Sequence, residues 1–487
     1  MSMGHVVNSE RAYRLLQQQM DHNVSGAPET PAIMKILKLL YSPEEADFAR
    51  QLPTHPKSLP DLARRLDMPE DELRDKLTDL ARRGLVLDIE RKGQRYYALP
   101  PVLGGIFEFV LMRTRDDLPI EELSRLFDEY MNGGEVFPRA AYAGETQFAR
   151  AFVHEDALPL GDHTEILDWE RVSKIIDTAS CISIALCPCR HRNRHLGKAC
   201  GAPERTCISL NGGAEAMIHS DISERIDAKE ALRIVEESRR AGLAQCGDNV
   251  QRHVTFLCNC CGCCCTMLHA MRTFNLRHAI MSSNWIAESD SIKCKACGKC
   301  AKACPAGAIS MEEHPPSPPS KGEYLPSPPQ GDRMEVIPAR VERTEVLSPP
   351  VVGTGISPSM GERQRVSPFE GGQGGCSWID DTVCLGCGVC YTMCRSGAIR
   401  MRARAQRVFT PENAFDKTVR MAIERGKLAD LLFEDPERLS HRAVGRVVHI
   451  LEKTPPWKAA MAVKPLRSAF LNRLIRAKNV AQPPSAV

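Results

Sequence analysis

The first hundred residues place apolar side chains at helical spacing. Within residues 31–41 the apolar positions recur every three or four residues, which is the period of a helix that buries one face. Ser42-Pro-Glu-Glu45 has the composition of a helix start, with a serine cap, a proline in the first turn and a glutamate three positions after the cap. Residues 58–66 and 67–83 predict two further helices joined by a short turn.

Polar residues and glycine set the ends of the second of these two helices. Asp67 and Glu70 predict another capping pair at its start, and Gly84 is predicted to end it. Residues 85–89 and 94–99 lie on either side of a Lys-Gly turn and predict a β-hairpin. A helix pair followed by such a hairpin has the element order of a winged helix, so the sequence predicts a winged-helix-like domain here.

A different pattern follows the connecting residues 106–168, which contain one predicted amphipathic helix at 118–131. Short helices and short apolar strands alternate, and two of the strands end directly at cysteines. This order predicts a cysteine-rich α/β region, with helices near 172–176 and 228–241 and strands at 182–186 and 254–257.

Residues 313–375 break the pattern with proline, serine and glycine. The tetrapeptide Pro-Ser-Pro-Pro occurs at 316–319 and again at 326–329. Such a composition cannot bury a core, so the segment is predicted to be a disordered insert. Cys376, at its edge, is predicted not to bind metal.

The C-terminal part returns to helical spacing from Thr410 and becomes basic towards its end. Residues 457–478 contain six lysines and arginines and no acidic residue, opposite an apolar stripe. A helix of this kind can make peripheral contact with an anionic membrane surface, dock on an acidic partner, or pack on its own protein with a solvated basic face. The sequence leaves these alternatives open.

Composition narrows the class of protein. The 487 residues carry a net charge of +3 and include 21 cysteines, so no overall field indicates nucleic acid as the partner. The first twenty residues lack the apolar core of a signal peptide, and no run of about 18 apolar residues occurs. So many cysteines without a leader indicate reduced thiols that hold metal. We therefore expect a cytoplasmic protein of an anaerobic lifestyle without a transmembrane segment.

Two runs of cysteines repeat one spacing. Residues 294–305 read C-x2-C-x2-C-x3-C-P, and residues 384–394 repeat the cysteine spacing with Arg395 in place of the proline. Four thiolates hold a [4Fe-4S] cubane, and the fourth cysteine of such a run ligates the cluster of the other run. Paired zinc knuckles or disulfides are the competing interpretation, but zinc sites rarely use this spacing. The predicted ligands are Cys294, Cys297, Cys300 and Cys394 for one cluster, and Cys304, Cys384, Cys387 and Cys390 for the other.

Ten more cysteines follow the two strands of the middle region. So many cysteines so close together are not explained by core packing. They predict at least one further iron–sulfur cluster, and a structural zinc site is the alternative interpretation. Cys181 and Cys246 stand apart and are predicted to be small buried residues. The candidate ligands of this middle site are Cys187, Cys189, Cys200, Cys207, Cys258, Cys260, Cys261, Cys263, Cys264 and Cys265.

The two spaced runs resemble dicluster bacterial-type ferredoxin domains. The whole arrangement is similar to a family of uncharacterised prokaryotic 4Fe-4S dicluster proteins, in which a winged-helix-like region precedes a CxC…C…C segment, a CNCCGCCC run and a ferredoxin pair. The resemblance implies electron transfer without a settled reaction. The predicted fold is an α+β multidomain chain with a winged-helix-like domain at 1–105, a helical connector at 106–168, a cysteine-rich domain at 169–290, a ferredoxin-like dicluster domain at 291–401 and a helical basic tail at 402–487.

Three functions fit these features. The first is an electron-transfer protein that passes single electrons between redox partner proteins, because no flavin, nicotinamide or nucleophile motif is present. The second is a redox-sensing regulator that binds DNA through the winged helix, although the start of its second helix is rich in carboxylates. The third is an assembly or scaffold protein that docks through the winged helix and the basic tail.

Overall fold

The computed structural model describes residues 8–158, 167–312, 376–432, 446–452 and 454–457. The predicted disordered insert at 313–375 lies outside the described residues, as does the predicted basic helix beyond Trp457. Within the described ranges, no helix is both long enough and apolar enough to cross a membrane.

The N-terminal region consists of packed helices followed by a small antiparallel sheet, in which the third strand lies between the first two. The helices and the hairpin predicted from the sequence are present with small shifts of their ends. The assignment of this region to the winged-helix class stays a prediction. Its elements are α1 (Ser9–Asp21), α2 (Pro31–Leu40), α3 (Pro43–Ala49), β1 (Lys57–Ser58), α4 (Leu59–Leu66), α5 (Glu70–Arg82), β2 (Leu87–Arg91) and β3 (Gln94–Ala98).

Of the two predicted capping pairs, one is confirmed and one is wrong. The Glu45 amide donates to Ser42 Oγ at 3.2 Å, and the Ser42 amide donates to the Glu45 carboxylate at 2.8 Å. Asp67 instead ends α4 with φ 51° and ψ 46°, and α5 begins after Pro69 without a side-chain cap. Aspartate tolerates this left-handed conformation better than most residues, so Asp67 turns the chain between the helices.

The middle region is built on an antiparallel sheet. Among the described residues its strand order is β4-β8-β9-β6-β5-β7. Residues 106–168 were predicted to be a helical connector. They also contain β4, which pairs with β8 and forms one edge of the sheet. The elements are α6 (Phe107–Leu111), α7 (Ile120–Asn132), α8 (Val136–Ala141), β4 (Ala149–Ala151), α9 (Val172–Asp177), β5 (Ile182–Leu186), α10 (Pro188–His195), β6 (Arg205–Leu210), α11 (Asn211–His219), β7 (Glu224–Arg225), α12 (Ala228–Arg240), β8 (Ala244–Asp248), β9 (Phe256–Cys260) and α13 (Thr266–Thr273).

Strand β9 differs from its prediction at 254–257, because its pairing with β8 continues into the cysteines. Cys258 lies opposite Cys246, and Cys260 lies opposite Ala244. Alternate residues of a strand point to opposite faces, so Cys258 and Cys260 share one face and Leu257 lies on the other. The sheet itself therefore orients the first two cysteines of the 258–265 run.

The two faces of this sheet have different neighbours. On one face, Leu257 and Ile208 pack with Ile234 of α12 in an apolar core that also includes residues of α9. On the other face, Cys246 and Cys260 belong to a larger core that continues into the N-terminal helices. The cysteine-bearing face is therefore interior and not exposed to solvent.

The ferredoxin-like region consists of two β-α-β halves that exchange strands. One antiparallel pair joins the outer strands β10 and β13, and the other joins β11 and β12, the strands that flank residues 313–375. Each pair takes one strand from each half, so the halves are held together on both sides. The elements are β10 (Trp285–Ser289), α14 (Lys299–Ala303), β11 (Ile309–Glu312), β12 (Cys376–Ile379), α15 (Val389–Met393) and β13 (Ile399–Ala403).

The segment that follows the ferredoxin-like region packs back on the rest of the protein. It contains α16 (Ala414–Arg425) and α17 (Leu428–Leu432). Glu424 accepts hydrogen bonds from the amide and the hydroxyl of Thr146 at 2.6 and 2.8 Å, and Lys417 forms a buried ion pair with Asp248 of β8. These contacts fix the tail against β8 of the middle sheet and against the segment that precedes β4.

Replacing the buried Arg150 is expected to lower the stability of the protein strongly. Arg150 of β4 lies 3.7 Å from Glu170, donates to Thr410 Oγ1 at 3.2 Å and stacks 4.6 Å from the Trp169 ring. Replacing it as Arg150→Met leaves the buried Glu170 carboxylate without its cation, so we expect a loss of about 3–5 kcal/mol of stability. Denaturant unfolding under anaerobic conditions measures this loss.

The matched control is Arg233→Met on the exposed face of α12. Arg233 pairs with Glu230 and Glu237, but its side chain is half exposed. An exposed ion pair contributes little to stability because solvent screens it, so this variant should unfold close to the wild type. Equal unfolding midpoints for Arg150→Met and Arg233→Met would contradict the idea that burial makes the Arg150 ion pair more important for stability.

Candidate metal centres

One group of four thiols lies at the surface end of the ferredoxin-like region. Cys294, Cys297 and Cys300 from the first half and Cys394 from the second half line a pocket of about 300 Å³. Ser377 and Ser396 lie beside them, and Cys394 Sγ is 3.5 Å from Ser396 Oγ. Cys297 is exposed, so this pocket reaches solvent.

A second group of four thiols lies deeper. Cys384, Cys387 and Cys390 from the second half and Cys304 from the first half line a pocket of about 320 Å³. Cys387 and Cys390 are buried, and burial raises the pKa of both thiols above the ordinary value. The structure thus brings together the two sets of four cysteines that the sequence predicts as ligand sets.

The loops that carry these thiols have the same construction in both halves. Asp290 caps the first loop by accepting hydrogen bonds from the amides of Ile292 and Lys293, and Asp380 accepts one from the amide of Thr382 in the second loop. Gly298 and Gly388 then take the left-handed conformation, with φ of 68° and 83°, at the starts of α14 and α15. The left-handed turn directs the third cysteine of each run towards its pocket.

Backbone amides converge on the fourth cysteine of each run. The amide of Ala308 donates to Cys304 Sγ at 3.2 Å. Burial alone raises the pKa of a thiol, yet the pKa of Cys394 is lowered because Ser396 and the amides of Ala398 and Ile399 donate to it. Hydrogen bonds of this kind stabilise a thiolate, and they tune the reduction potential of a cluster that the thiolate holds.

Nine of the ten candidate cysteines of the middle region divide into two groups, and Cys207 borders the second. The first, here called the surface quartet, consists of Cys200, Cys261, Cys263 and Cys264, whose Sγ atoms all lie within 4.8 Å of one another. The Cys200–Cys261 separation is 3.7 Å and the Cys263–Cys264 separation is 3.8 Å. Cys263 is exposed, so the quartet lies at the protein surface.

Arg190 supports the surface quartet from the interior. This fully buried side chain places Nη1 3.7 Å from Cys261 Sγ and donates to the Asn259 carbonyl at 2.9 Å. The pKa of Cys261 falls to about 4, because the Cys264 thiol and Arg190 donate hydrogen bonds to it and the guanidinium charge favours the thiolate. Arg190 therefore favours the thiolate form of a cysteine in the quartet.

The second group, here called the buried thiol group, combines two cysteines of β9 with cysteines at the starts of α10 and α13. Neighbouring thiols of this group influence one another's pKa. Hydrogen bonds from two of its members, Cys187 and Cys265, hold the pKa of Cys189 well below its ordinary value. The members are Cys187, Cys189, Cys258, Cys260 and Cys265.

Two cysteines of neighbouring strands border the buried thiol group. Cys207 of β6 contacts Cys258, and Cys246 of β8 contacts Cys260. The prediction that Cys246 is buried is confirmed, but no local pattern indicated that it lies beside other thiols. Its position follows from the pairing of β8 with β9, which is a contact between separate segments of the chain.

Two polar residues that the sequence analysis did not identify face the buried thiol group. Glu108 accepts hydrogen bonds from the amides of Gly104 and Gly105 at 2.8 and 3.0 Å, and burial raises its pKa to about 8. Tyr142 is buried and its Oη has no hydrogen-bond partner; burial raises its pKa, and Cys265, Cys189 and Glu108 lie close enough to contribute. Neither residue lies near a cysteine in the sequence, so no motif indicated them.

The histidines of α10 do not take part in either group. His191 Nδ1 lies 2.7 Å from the Leu111 carbonyl oxygen, and His191 Nε2 lies 3.2 Å from His195 Nε2. Burial lowers the pKa of His191. Both ring nitrogens of His191 are therefore engaged away from the thiols, as expected for a residue beside the metal centres and not a ligand.

Comparison with known proteins identifies one part of the chain. Residues 288–310, which contain the first four spaced cysteines, match the 4Fe-4S binding domain family. No curated protein and no solved structure matches the chain. Together with the clustered thiols, the match shows that this chain is an iron–sulfur protein that carries a 4Fe-4S binding domain.

Proposed function

We propose that this protein carries electrons through two [4Fe-4S] clusters and passes them singly to a partner oxidoreductase. The observation that supports this proposal most strongly is the composition of the two pockets, each of which has three thiols from one half and one from the other. Two-cluster ferredoxins share their ligands in this way. Cys294, Cys297, Cys300 and Cys394 would hold one cluster, and Cys304, Cys384, Cys387 and Cys390 the other.

The two pockets differ in their exposure to solvent, and this difference suggests a path for the electrons. The Cys297 pocket reaches solvent, where a redox partner can approach, whereas Cys387 and Cys390 are buried. The helices α14 and α15 pack together between the two pockets, and the thiol of Cys300 is close enough to influence the pKa of Cys390. An electron that enters at the exposed cluster would therefore reach the buried one. A reducing compartment, the cytoplasm, is part of the same proposal.

Metal and sulfide analysis after anaerobic purification tests this function. Two clusters require about eight irons and about eight sulfides per chain, and the reduced protein should give the EPR spectrum of interacting [4Fe-4S] clusters. Iron well below eight, or iron without sulfide, would refute the assignment. Stopped-flow oxidation of the reduced protein by a one-electron acceptor then tests whether the clusters exchange electrons with a partner.

The alternative, a redox-sensing regulator, makes a different prediction about DNA. Glu70, Asp71 and Glu72 are exposed in the first turn of α5, where a recognition helix would meet phosphates and bases. We expect the clustered, full-length protein to show no salt-dependent affinity for duplex DNA in fluorescence anisotropy, because these carboxylates repel the phosphates.

The control for this prediction is the variant in which the three acids become Gln, Asn and Gln. If carboxylate repulsion is the reason, this variant should bind DNA more tightly than the wild type at low salt. Wild-type binding that weakens steeply with rising salt would instead favour the regulator.

A further inference from the structure

The surface quartet has the dimensions of a site for a single ion. A tetrahedral zinc with Zn–S bonds of about 2.3 Å places its sulfurs about 3.8 Å apart. The Cys200–Cys261 and Cys263–Cys264 separations, 3.7 and 3.8 Å, match that value. In a cubane each thiolate binds a different iron, so the four sulfurs lie farther apart than around one ion.

The ferredoxin-like region provides an internal comparison. All eight of its spaced cysteines are described, and none of them belongs to a group of thiols as narrow as the surface quartet; within the described residues that quartet alone has its Sγ atoms within 4.8 Å. The chain therefore contains wide thiol sets beside a narrow one. A narrow spacing of the Sγ atoms fits a site for one metal ion, and a wide spacing fits a cluster of several irons.

The surroundings of the quartet fit a tetrathiolate ion of net negative charge. Arg190 brings a buried positive charge to Cys261. The backbone amides of Cys264 and Cys200 also act to lower the pKa of the Cys261 and Cys264 thiols, respectively, so backbone dipoles favour negative charge on these sulfurs. Such groups orient the ligands and offset their charge.

We propose that Cys200, Cys261, Cys263 and Cys264 bind one structural zinc ion, separate from the iron–sulfur clusters. All four positions are protein thiolates, so no coordination position is open for catalysis. The ion ties the loop after α10 to the turn before α13. Gly262 of that turn lies so close to Pro305 that a Cβ would come 2.8 Å from the Pro305 carbonyl oxygen. The zinc therefore also holds the ferredoxin-like loop that carries Cys304.

Zinc analysis of the anaerobically purified protein tests this proposal. We expect about one zinc per chain, and a Cys264→Ala variant should lose the zinc while it keeps the iron of the ferredoxin-like region. Cys181→Ala, which removes a buried cysteine outside both groups, should keep both metals. Protein grown with cobalt should show the visible absorption of tetrahedral Co²⁺ bound to thiolates, a readout that needs no variant. Absence of zinc, or loss of about four irons in Cys264→Ala, would overturn the proposal.

The buried thiol group carries a second, independent inference that rests on Tyr142. Its five thiols exceed the four that a tetrahedral ion accepts, and within the described residues no three of them are as closely spaced as the thiols of the quartet. Tyr142 Oη is buried without a partner, and Cys265 and Cys189 lie close enough to influence its pKa. Most buried hydroxyls in folded proteins have a hydrogen-bond partner. Tyr97 Oη in the N-terminal sheet is also buried without a partner, but no cysteine acts on its pKa, so of these two tyrosines Tyr142 is the one beside the thiols.

We infer that the buried thiol group holds a further iron–sulfur cluster and that Tyr142 donates a hydrogen bond to one of its sulfurs. This inference extends the proposed electron transfer, because Cys265 shares an apolar core with Ala306 and Cys387 beside the deeper ferredoxin-like pocket. One electron leaves the reduced ferredoxin-like cluster and enters this one. A hydrogen bond to a cluster sulfur stabilises the reduced form and raises the reduction potential.

Redox titration followed by EPR tests this second inference. The wild type should contain about twelve irons, and Cys265→Ala should lose about four of them and keep the zinc. Tyr142→Phe should keep all the iron but lower the potential of one cluster, whereas Tyr97→Phe, in the N-terminal sheet, should leave every potential unchanged. If the wild type contains only about eight irons, or if Tyr142→Phe shifts no potential, the inference is wrong, while the two-cluster proposal still stands.

Discussion

Replacing Cys394 with alanine is expected to remove the same cluster as replacing Cys297, although the two residues belong to different runs. The structure places both thiols at one pocket, with Cys294 and Cys300, and the strand pairs hold the two halves in that arrangement. Each variant should lose about four of the irons, and the same EPR signal should disappear in both. Cys304→Ala and Cys387→Ala should form the complementary pair and remove the other signal.

The competing arrangement, in which each run holds its own cluster, predicts a different grouping. In that case Cys304→Ala would match Cys297→Ala, and Cys394→Ala would match Cys387→Ala. Cys376→Ala is the control within the same region, since the sequence predicts that this residue is not a ligand. Its iron content should equal that of the wild type.

Gly386→Ala is expected to unfold the second cysteine loop. Gly386 has φ +67°, and an added Cβ would lie 2.0 Å from the Trp285 carbonyl oxygen and 2.4 Å from Ser283 Oγ. Ser283 also donates its hydroxyl to the Gly386 carbonyl at 2.8 Å, so the collision falls on the contact between this loop and β10. Overpacking and the left-handed backbone together should cost about 3 kcal/mol or more. Anaerobic urea unfolding and iron retention measure the effect.

Gly397→Ala separates the steric collision from the backbone strain. Gly397 has a nearly identical φ of +66°, but nothing lies within 4 Å of an added Cβ. Gly397→Ala should therefore lose only the stability that the left-handed backbone costs a non-glycine residue, about 1–2 kcal/mol. The iron should be retained in this variant. Similar losses in the two variants would show that the close approach to β10 is unimportant.

The sequence predicted an element correctly where residues that are neighbours in the chain determine its backbone geometry. The Ser42 cap, the hairpin between β2 and β3 and the amphipathic helix at 118–131 depend on contacts within a few residues, and the structure contains them. The Asp67 prediction failed because the same residue types serve as helix caps and as left-handed turns. The packing of the next helix selects between these two roles.

The boundaries of the middle strands required tertiary contacts. The sequence predicted a strand that ends before Cys258, but pairing with β8 extends β9 through Cys260. The register of that pair decides which cysteines point to the interior, and no local signal specifies a register between distant segments. Tyr142 and Glu108 were missed for the same reason, because they approach the thiols only in the folded chain.

The sequence by itself determined the iron–sulfur character of the protein, and it predicted the two ferredoxin-like ligand sets on which the proposed function depends. It could do so because the C-x2-C-x2-C spacing places three thiols in one loop, and the duplicated run provides the fourth. Only the tertiary structure divided nine of the ten middle cysteines into a surface quartet and a buried thiol group, with Cys207 at the border of the second. That division depends on the alternation of side chains along β9 and on the return of Cys200 from a separate loop, and both are set by packing across the sheet.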